Sequence, residues 1–114
     1  MAFERFSVVV VPFPSTDRDV TRRRPAVVVS TPGELGSKVG HSILAMITSA
    51  VNPAWPLDVP ITDQDTAGLP QPSVVRMKLF TLDDRFVLRT AGRLAPVDAA
   101  RVESALRRAL RLQG

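Results

Sequence analysis

The chain has 114 residues, 45% of them hydrophobic, which fits one domain with a packed core and argues against a disordered segment. It holds no cysteine and one histidine, which excludes disulfides, thiolate metal sites and a cysteine nucleophile and argues against a protein zinc site. The formal net charge of +4 favours anionic partners such as nucleic acid, acidic peptides or a membrane surface.

No apolar run reaches transmembrane length and no export signal opens the chain, so a cytoplasmic location is expected. Ser7 to Pro12 (SVVVVP) reads as a buried strand that the Pro-Phe-Pro run stops. Ser15 to Arg23 is polar and charged and reads as an exposed loop. Arg24 to Ser30 is the second predicted strand, and Thr31 to Gly40, with its glycines and proline, a second loop. Ser42 to Thr48 (SILAMIT) is the third strand and Asn52 to Pro56 a turn. Leu57 to Ile61 is a short strand that Pro60 places at a sheet edge. Thr66 to Pro72 reads as a loop, Ser73 to Phe80 as a fifth strand, Asp83 to Phe86 as a turn or single helical turn, and Arg89 to Leu94 as a last strand.

Pro96 to Leu112 is the one clear helix. Pro96 suits its first position and Asp98 its positive end. Ala99, Val102, Leu106, Ala109 and Leu110 recur at helical spacing as an apolar stripe, with Arg101, Arg107, Arg108 and Arg111 opposite. Ala95 is a poor N-cap, so this end should fray. Short strands followed by one helix suggest a single-domain, mainly β protein: a small twisted barrel or sandwich with a helix packed on it.

The basic run Arg22-Arg23-Arg24 leads directly into apolar Val27-Val28-Val29. Pro25 pushes Arg24 towards extended backbone, which holds its side chain at the end of a strand. A guanidinium there can make two parallel hydrogen bonds to a phosphate, or simply be solvated or paired with Asp17 or Asp19. Thr48 and Ser49 end the third strand, where hydroxyls can donate to an anionic oxygen or bond to the backbone. His41 titrates near neutrality and could act as a base, or be a loop histidine without a role. Trp55 could stack on a nucleobase or pack.

The ordered segments VVVVPFPSTD, RRPAVVVS, AMITSA, PSVVRMKLFTLD and GRLAP, followed by the helix, resemble the MazF/PemK family of toxins. The resemblance covers nearly the whole chain. It implies an SH3-like β-barrel with a C-terminal helix, a homodimer, and a metal-independent, sequence-selective endoribonuclease. It also implies a single-stranded RNA substrate, an acidic antitoxin as partner, and contact with DNA only through that antitoxin. No cofactor and no membrane partner are implied. Carried onto this sequence, it makes Arg24 and Thr48 catalytic. Phe13, Thr16, Asp17, Arg22, Arg23, His41, Ser49, Arg76 and Lys78 become candidate RNA contacts. The chain departs from the family in having Phe6-Ser7 where many members have Gly-Asp, and in lacking the glutamate that some carry in the first loop. Arg76-Met77-Lys78 also stands where the family has Arg-x-Asp. The general base is therefore open: Arg24 does most of the work, with His41, Asp17 or substrate positioning making up the rest. Two other classes stay open: a catalytically silent RNA-binding barrel, and a barrel toxin that acts on a protein such as gyrase.

Overall fold

The computed structural model describes residues 2–14 and 21–112. Six strands form one antiparallel sheet: β1 (Ser7–Pro14), β2 (Thr21–Val28), β3 (His41–Ser49), β4 (Val59–Pro60), β5 (Ser73–Asp83) and β6 (Arg89–Arg93). Their order is β4-β5-β3-β2-β1-β6. A short π-helical turn (Pro32–Ser37) joins β2 to β3, a four-residue helix α1 (Gln64–Ala67) precedes β5, and the long helix α2 (Pro96–Leu110) ends the fold. The sheet curls into the SH3-like half-barrel, with α2 packed across one face. Short β4 with Pro60 lies at the sheet edge, as expected.

Strand alternation sorts the apolar residues onto two faces. Val8, Val27, Ala45, Ile47 and Val75 point towards α2, where Val102, Ala105 and Leu106 meet them. Val9, Val11, Ala26, Val28, Leu44 and Met46 point the other way and are covered by Phe3, Phe13, Phe80, Leu82 and Val87. Both faces of the central strands are therefore buried, which accounts for their unbroken runs of β-branched residues.

The curl is closed without a further strand pair. α1 packs on β6, and at the contact the backbones touch: a Cβ on Gly92 would overlap the carbonyl oxygens of Thr66 and Ala67, and one on Gly68 would overlap that of Ala91. Gly68 also caps α1 in the left-handed conformation, with φ of 73°.

Several expectations change; β4 is cut to Val59–Pro60 and β5 extends to Asp83, and four other differences have a clear cause. First, β1 does not stop at Pro12 but continues to Pro14. The Val10 carbonyl accepts from Leu88 N, so even-numbered β1 residues direct their polar backbone towards β6. β6 pairs only as far as Val10, so Pro12 and Pro14 face an open edge and no ladder bond is lost. Second, β2 starts at Thr21, so the arginine run lies in the strand rather than the loop. Cross-strand pairing with Pro12 and Phe13 holds Arg23 and Arg22 there. Third, Gln64–Ala67, whose last two residues the sequence places in a loop, is helical, because Asp63 caps it by accepting from Thr66 N.

Fourth, the start of α2 is anchored although Ala95 makes no side-chain cap. Asp98 is fully buried and accepts hydrogen bonds from Thr62 N, Thr62 Oγ1 and Asp63 N at 2.8–3.1 Å. At its other end the helix stops at Leu110, where Arg111 turns left-handed, and Ala109 and Leu110 remain exposed. Leu110 and Leu112 line an open groove of about 430 Å³ together with Val29, Ile43 and Leu79 of the sheet side.

Burial raises the Asp98 carboxyl, but the hydrogen bonds from Asp63 and Thr62 outweigh it and hold the group below the usual carboxylate range. Its contribution to stability is thus full above about pH 4 and is lost as the pH falls through the lowered folded-state value. Asp98→Ala, which leaves two backbone N–H groups without an acceptor, should lower stability by about 2–3 kcal/mol at neutral pH. The gap between wild type and variant should narrow below about pH 4. Urea unfolding from pH 2 to pH 7 measures both effects, and a gap independent of pH would show that Asp98 does not act as a charged acceptor.

Candidate functional site

The site is created by one missing hydrogen-bond donor. In β2, the backbones of Arg24 and Ala26 face β1, opposite Val11 and Val9, while Pro25 and Val27 face β3. The Val29 N–H, two residues beyond Val27, bonds to the Ile43 carbonyl and confirms the alternation. Pro25 has no N–H to give β3. The β2–β3 ladder accordingly runs only through Ala26↔Met46, Val27↔Ala45 and Val28↔Leu44. Beyond it the strands part. Continued in register, the ladder would have set Arg24 opposite Thr48. A cleft of about 310 Å³ occupies the place of those lost bonds. Arg22, Arg23, Arg24 and Pro25 line one wall, Ile47, Thr48 and Ser49 the other, and Asn52 and Leu69 to Gln71 the ends.

The walls are held by different means. Arg24 remains hydrogen-bonded in the β1–β2 ladder, so its backbone stays fixed where β3 has let go. Thr48 is paired with Val74 of β5. The turn after β3 is closed by Asn52 N donating to the Ser49 carbonyl at 3.1 Å. It brings the Asn52 side-chain amide to the Thr48 hydroxyl, 2.6 Å away, where Nδ2 donates to Oγ1. With an oxygen lone pair so engaged, the Thr48 O–H is left to donate elsewhere. Among the described residues no carboxylate pairs with Arg22, Arg23 or Arg24.

Strand alternation carries the argument further. Arg22 and Arg24 share a face with Phe13 and Thr48, away from α2. On β5 a bulge sets Met46 alone against Arg76, Met77 and Lys78, so Arg76 and Lys78 fan out on that same face. The face has two halves. Phe3, Phe80, Leu82 and Val87 cover one; Arg22, Arg24, Thr48, Arg76 and Lys78 occupy the other. Phe13 stands between them, its ring 5.5 Å from Phe80 and with the Lys78 ammonium 5.4 Å from its centroid.

The candidates read from sequence are thus distributed unevenly. Arg22, Arg23, Arg24, Thr48 and Ser49 meet in the cleft, and Phe13 and Lys78 lie on the adjoining face. Arg76 is on that face too, but its guanidinium holds Asp58 through Nε and Nη2 at 3.2 and 3.0 Å and the Pro53 carbonyl at 2.8 Å. Burial raises Asp58, yet the hydrogen bonds from Arg76 and Trp55 N more than offset it, so the carboxyl sits below the usual range. His41 is not brought to the cleft. It lies at the opposite end of β3, about 23 Å from Thr48 along the strand, with Nδ1 against the Val39 carbonyl at 2.8 Å. Thr16 and Asp17 lie outside the described residues. Asn52 was missed by the sequence reading, which treated it as turn only. Its position four residues after Thr48 is the one signal that pointed to it.

A profile of the PemK-like, MazF-like toxins of type II toxin-antitoxin systems matches residues 4–110. The chain belongs to that family. No protein of curated function is recognisably similar to it in sequence. Among solved structures, the Mycobacterium tuberculosis toxin MazF-mt6 is similar, with a TM-score of 0.73, 21% identity, and coverage of 95% of this chain and 99% of that one. The MazE–MazF complex of Deinococcus radiodurans gives a TM-score of 0.78 at 18% identity over 99% of this chain and 100% of that one. A mycobacterial endoribonuclease bound to its cognate antitoxin gives 0.73 at 18% identity, covering 99% and 97%. These likenesses establish the fold that the family shares.

Proposed function

We propose that this family member is the toxin of a type II toxin-antitoxin pair and a sequence-selective endoribonuclease that cuts single-stranded RNA without metal. The observation that carries the reading is the cleft at Pro25, with Arg24 fixed on one wall and the Thr48 hydroxyl, engaged by Asn52, on the other. The solved relatives named as endoribonucleases and toxins support it. In the proposed reaction the ribose 2′-oxygen attacks the adjacent phosphorus, the P–O5′ bond breaks, and the products are a 2′,3′-cyclic phosphate and a 5′-OH. Negative charge gathers on the phosphoryl oxygens. Arg24 faces that charge with a planar pair of donors and Thr48 with a short neutral one, and preorganised donors of this kind contribute a few kcal/mol each. No carboxylate or imidazole is among the described residues that line the cleft. What the described residues supply is electrostatic stabilisation; the 2′-OH proton passes to water, and water gives a proton to the departing 5′-oxygen. Arg22, Arg23, Lys78 and Phe13 extend the surface along the strand that is cut. An acidic antitoxin segment competes for the same basic face, and DNA is reached only through that partner. The working unit is a homodimer, as the resemblance implies.

RNA incubated with the protein should yield discrete fragments with and without EDTA, bearing 2′,3′-cyclic phosphate ends. Loss of cutting in EDTA, or 3′-OH ends, would refute the mechanism. Intact RNA with shifted mobility would mark a silent binder, and no effect on RNA would favour a protein target.

Arg24→Ala should slow cleavage on the order of 10²-fold or more with the fold retained, and Thr48→Ala should be milder because water can replace a neutral donor. A folded Arg24→Ala protein that cuts at the wild-type rate would remove Arg24 from the site.

The double variant Arg22→Ala/Arg23→Ala should bind RNA more weakly, with the slope of log K against log salt reduced by about 1.4 for two phosphate contacts on a single strand. An unchanged slope would place both residues off the binding surface.

A further inference from the structure

Trp55 has no part in the chemistry above, yet the fold fixes it firmly. It is the only tryptophan of the chain. It stands on the loop between β3 and β4, and 45% of it is exposed. An aromatic ring of that size on a loop is ordinarily either buried or free to move. Here the Arg76 guanidinium lies 4.7 Å from the ring centroid. Arg76 is itself fixed by Asp58 and the Pro53 carbonyl. Asp58 also accepts from Trp55 N at 2.9 Å, and Asp58 N donates back to the Trp55 carbonyl at 3.3 Å. Both partners of the ion pair are nearly buried, at 12% and 10% side-chain exposure. The loop thus closes on itself around a desolvated ion pair and presents one aromatic ring outward, its covered side against Arg76.

The ring is also in the right place. Arg76 fans onto the sheet face that carries Arg24 and Thr48. Trp55 follows cleft-lining Asn52 by three residues, and Arg76 follows cleft-lining Ser73 by three. Two independent stretches of chain therefore tie the Trp55 loop to the cleft, the Cα atoms of Trp55 and Arg76 each lying within about 10 Å of that of a cleft-lining residue.

We propose that Trp55 is a stacking platform for a nucleobase beside the cleaved phosphate, and that Arg76 and Asp58 are positioning residues that hold the ring for it. This rests on the RNA-cleaving reading above. A ring ordered before binding loses little freedom when a base stacks on it. Stacking accepts any base, so Trp55 supplies affinity rather than sequence selection. Arg76 behind the ring leaves the exposed side for the base.

The test uses the full-length protein and an RNA oligonucleotide blocked against cleavage by 2′-O-methyl groups. Binding is followed by the anisotropy of a dye on the RNA, and the base contact by the fluorescence of the sole tryptophan. Saturable quenching of Trp55 in step with anisotropy is expected, and it should disappear when one particular base is replaced by an abasic sugar. With cleavable RNA, Trp55→Ala should raise KM between about 5-fold and 100-fold with kcat little changed, and Trp55→Phe should restore most of the loss. Arg76→Met should raise KM by a larger factor in wild type than in the Trp55→Ala background, where only its charge on the basic face remains to be lost. RNA binding without quenching, together with unchanged KM in folded Trp55→Ala protein, overturns the platform and leaves the nuclease reading intact. Absence of both binding and cleavage in wild type overturns that reading and the platform with it.

Discussion

A proline in the middle of a β-sheet withholds one hydrogen bond, and much of this molecule is arranged around that omission. Pro25 sits in β2 with its backbone turned towards β3. Had it been any other residue, the β2–β3 ladder could have continued and the Arg24–Thr48 pair would have been two more positions of flat sheet. Instead the strands separate while β1 and β5 hold their outer sides. The cleft is consequently rigid: each wall is one strand of an intact ladder. Under the proposed reaction a phosphate entering it would meet donors already in place, which is the condition under which electrostatic stabilisation is largest.

The same sheet explains how a single basic face comes from distant segments. Arg22 and Arg24 on β2, Thr48 on β3, and Arg76 and Lys78 on β5 share it because strand alternation puts every second residue there. The bulge opposite Met46 lets Arg76 and Lys78 project from one short stretch in different directions. One of them reaches the aromatic ring of Phe13, and the other the buried carboxylate of Asp58.

What could be read from the sequence depended on how local its cause was. The strands around Val27 and Ile47, the edge position of Pro60 and the helix from Pro96 follow from periodicity and proline chemistry within a few residues. The candidacy of Arg24 and Thr48 could be argued from their predicted positions at strand ends, and the structure brings both to one cleft. The placement of Arg22 and Arg23 could not: three adjacent like charges look like a loop, and only pairing with Pro12 and Phe13 makes them strand. The Asp98 anchor joins residues 36 positions apart, and the Arg76–Asp58 pair residues 18 apart. Neither leaves a mark on local composition. His41 shows the converse. Its chemistry suggested a base, but the direction of β3 carries it to the end of the strand away from the cleft.

The pairing of the first strand with the last has a consequence for how the protein comes into being. Ser7 pairs with Arg93, and Leu94 N bonds to the Phe6 carbonyl. The backbone contact between α1 and β6 likewise awaits residue 92. β1, on which the arginine wall of the cleft rests, cannot be enclosed on its β6 side until residues 89–93 have left the ribosome, and contacts so distant in sequence form slowly. A nascent or truncated chain holds the arginines without the frame that aims them. The frame behind the arginine wall therefore closes late, once the segments around residues 7 and 93 have met.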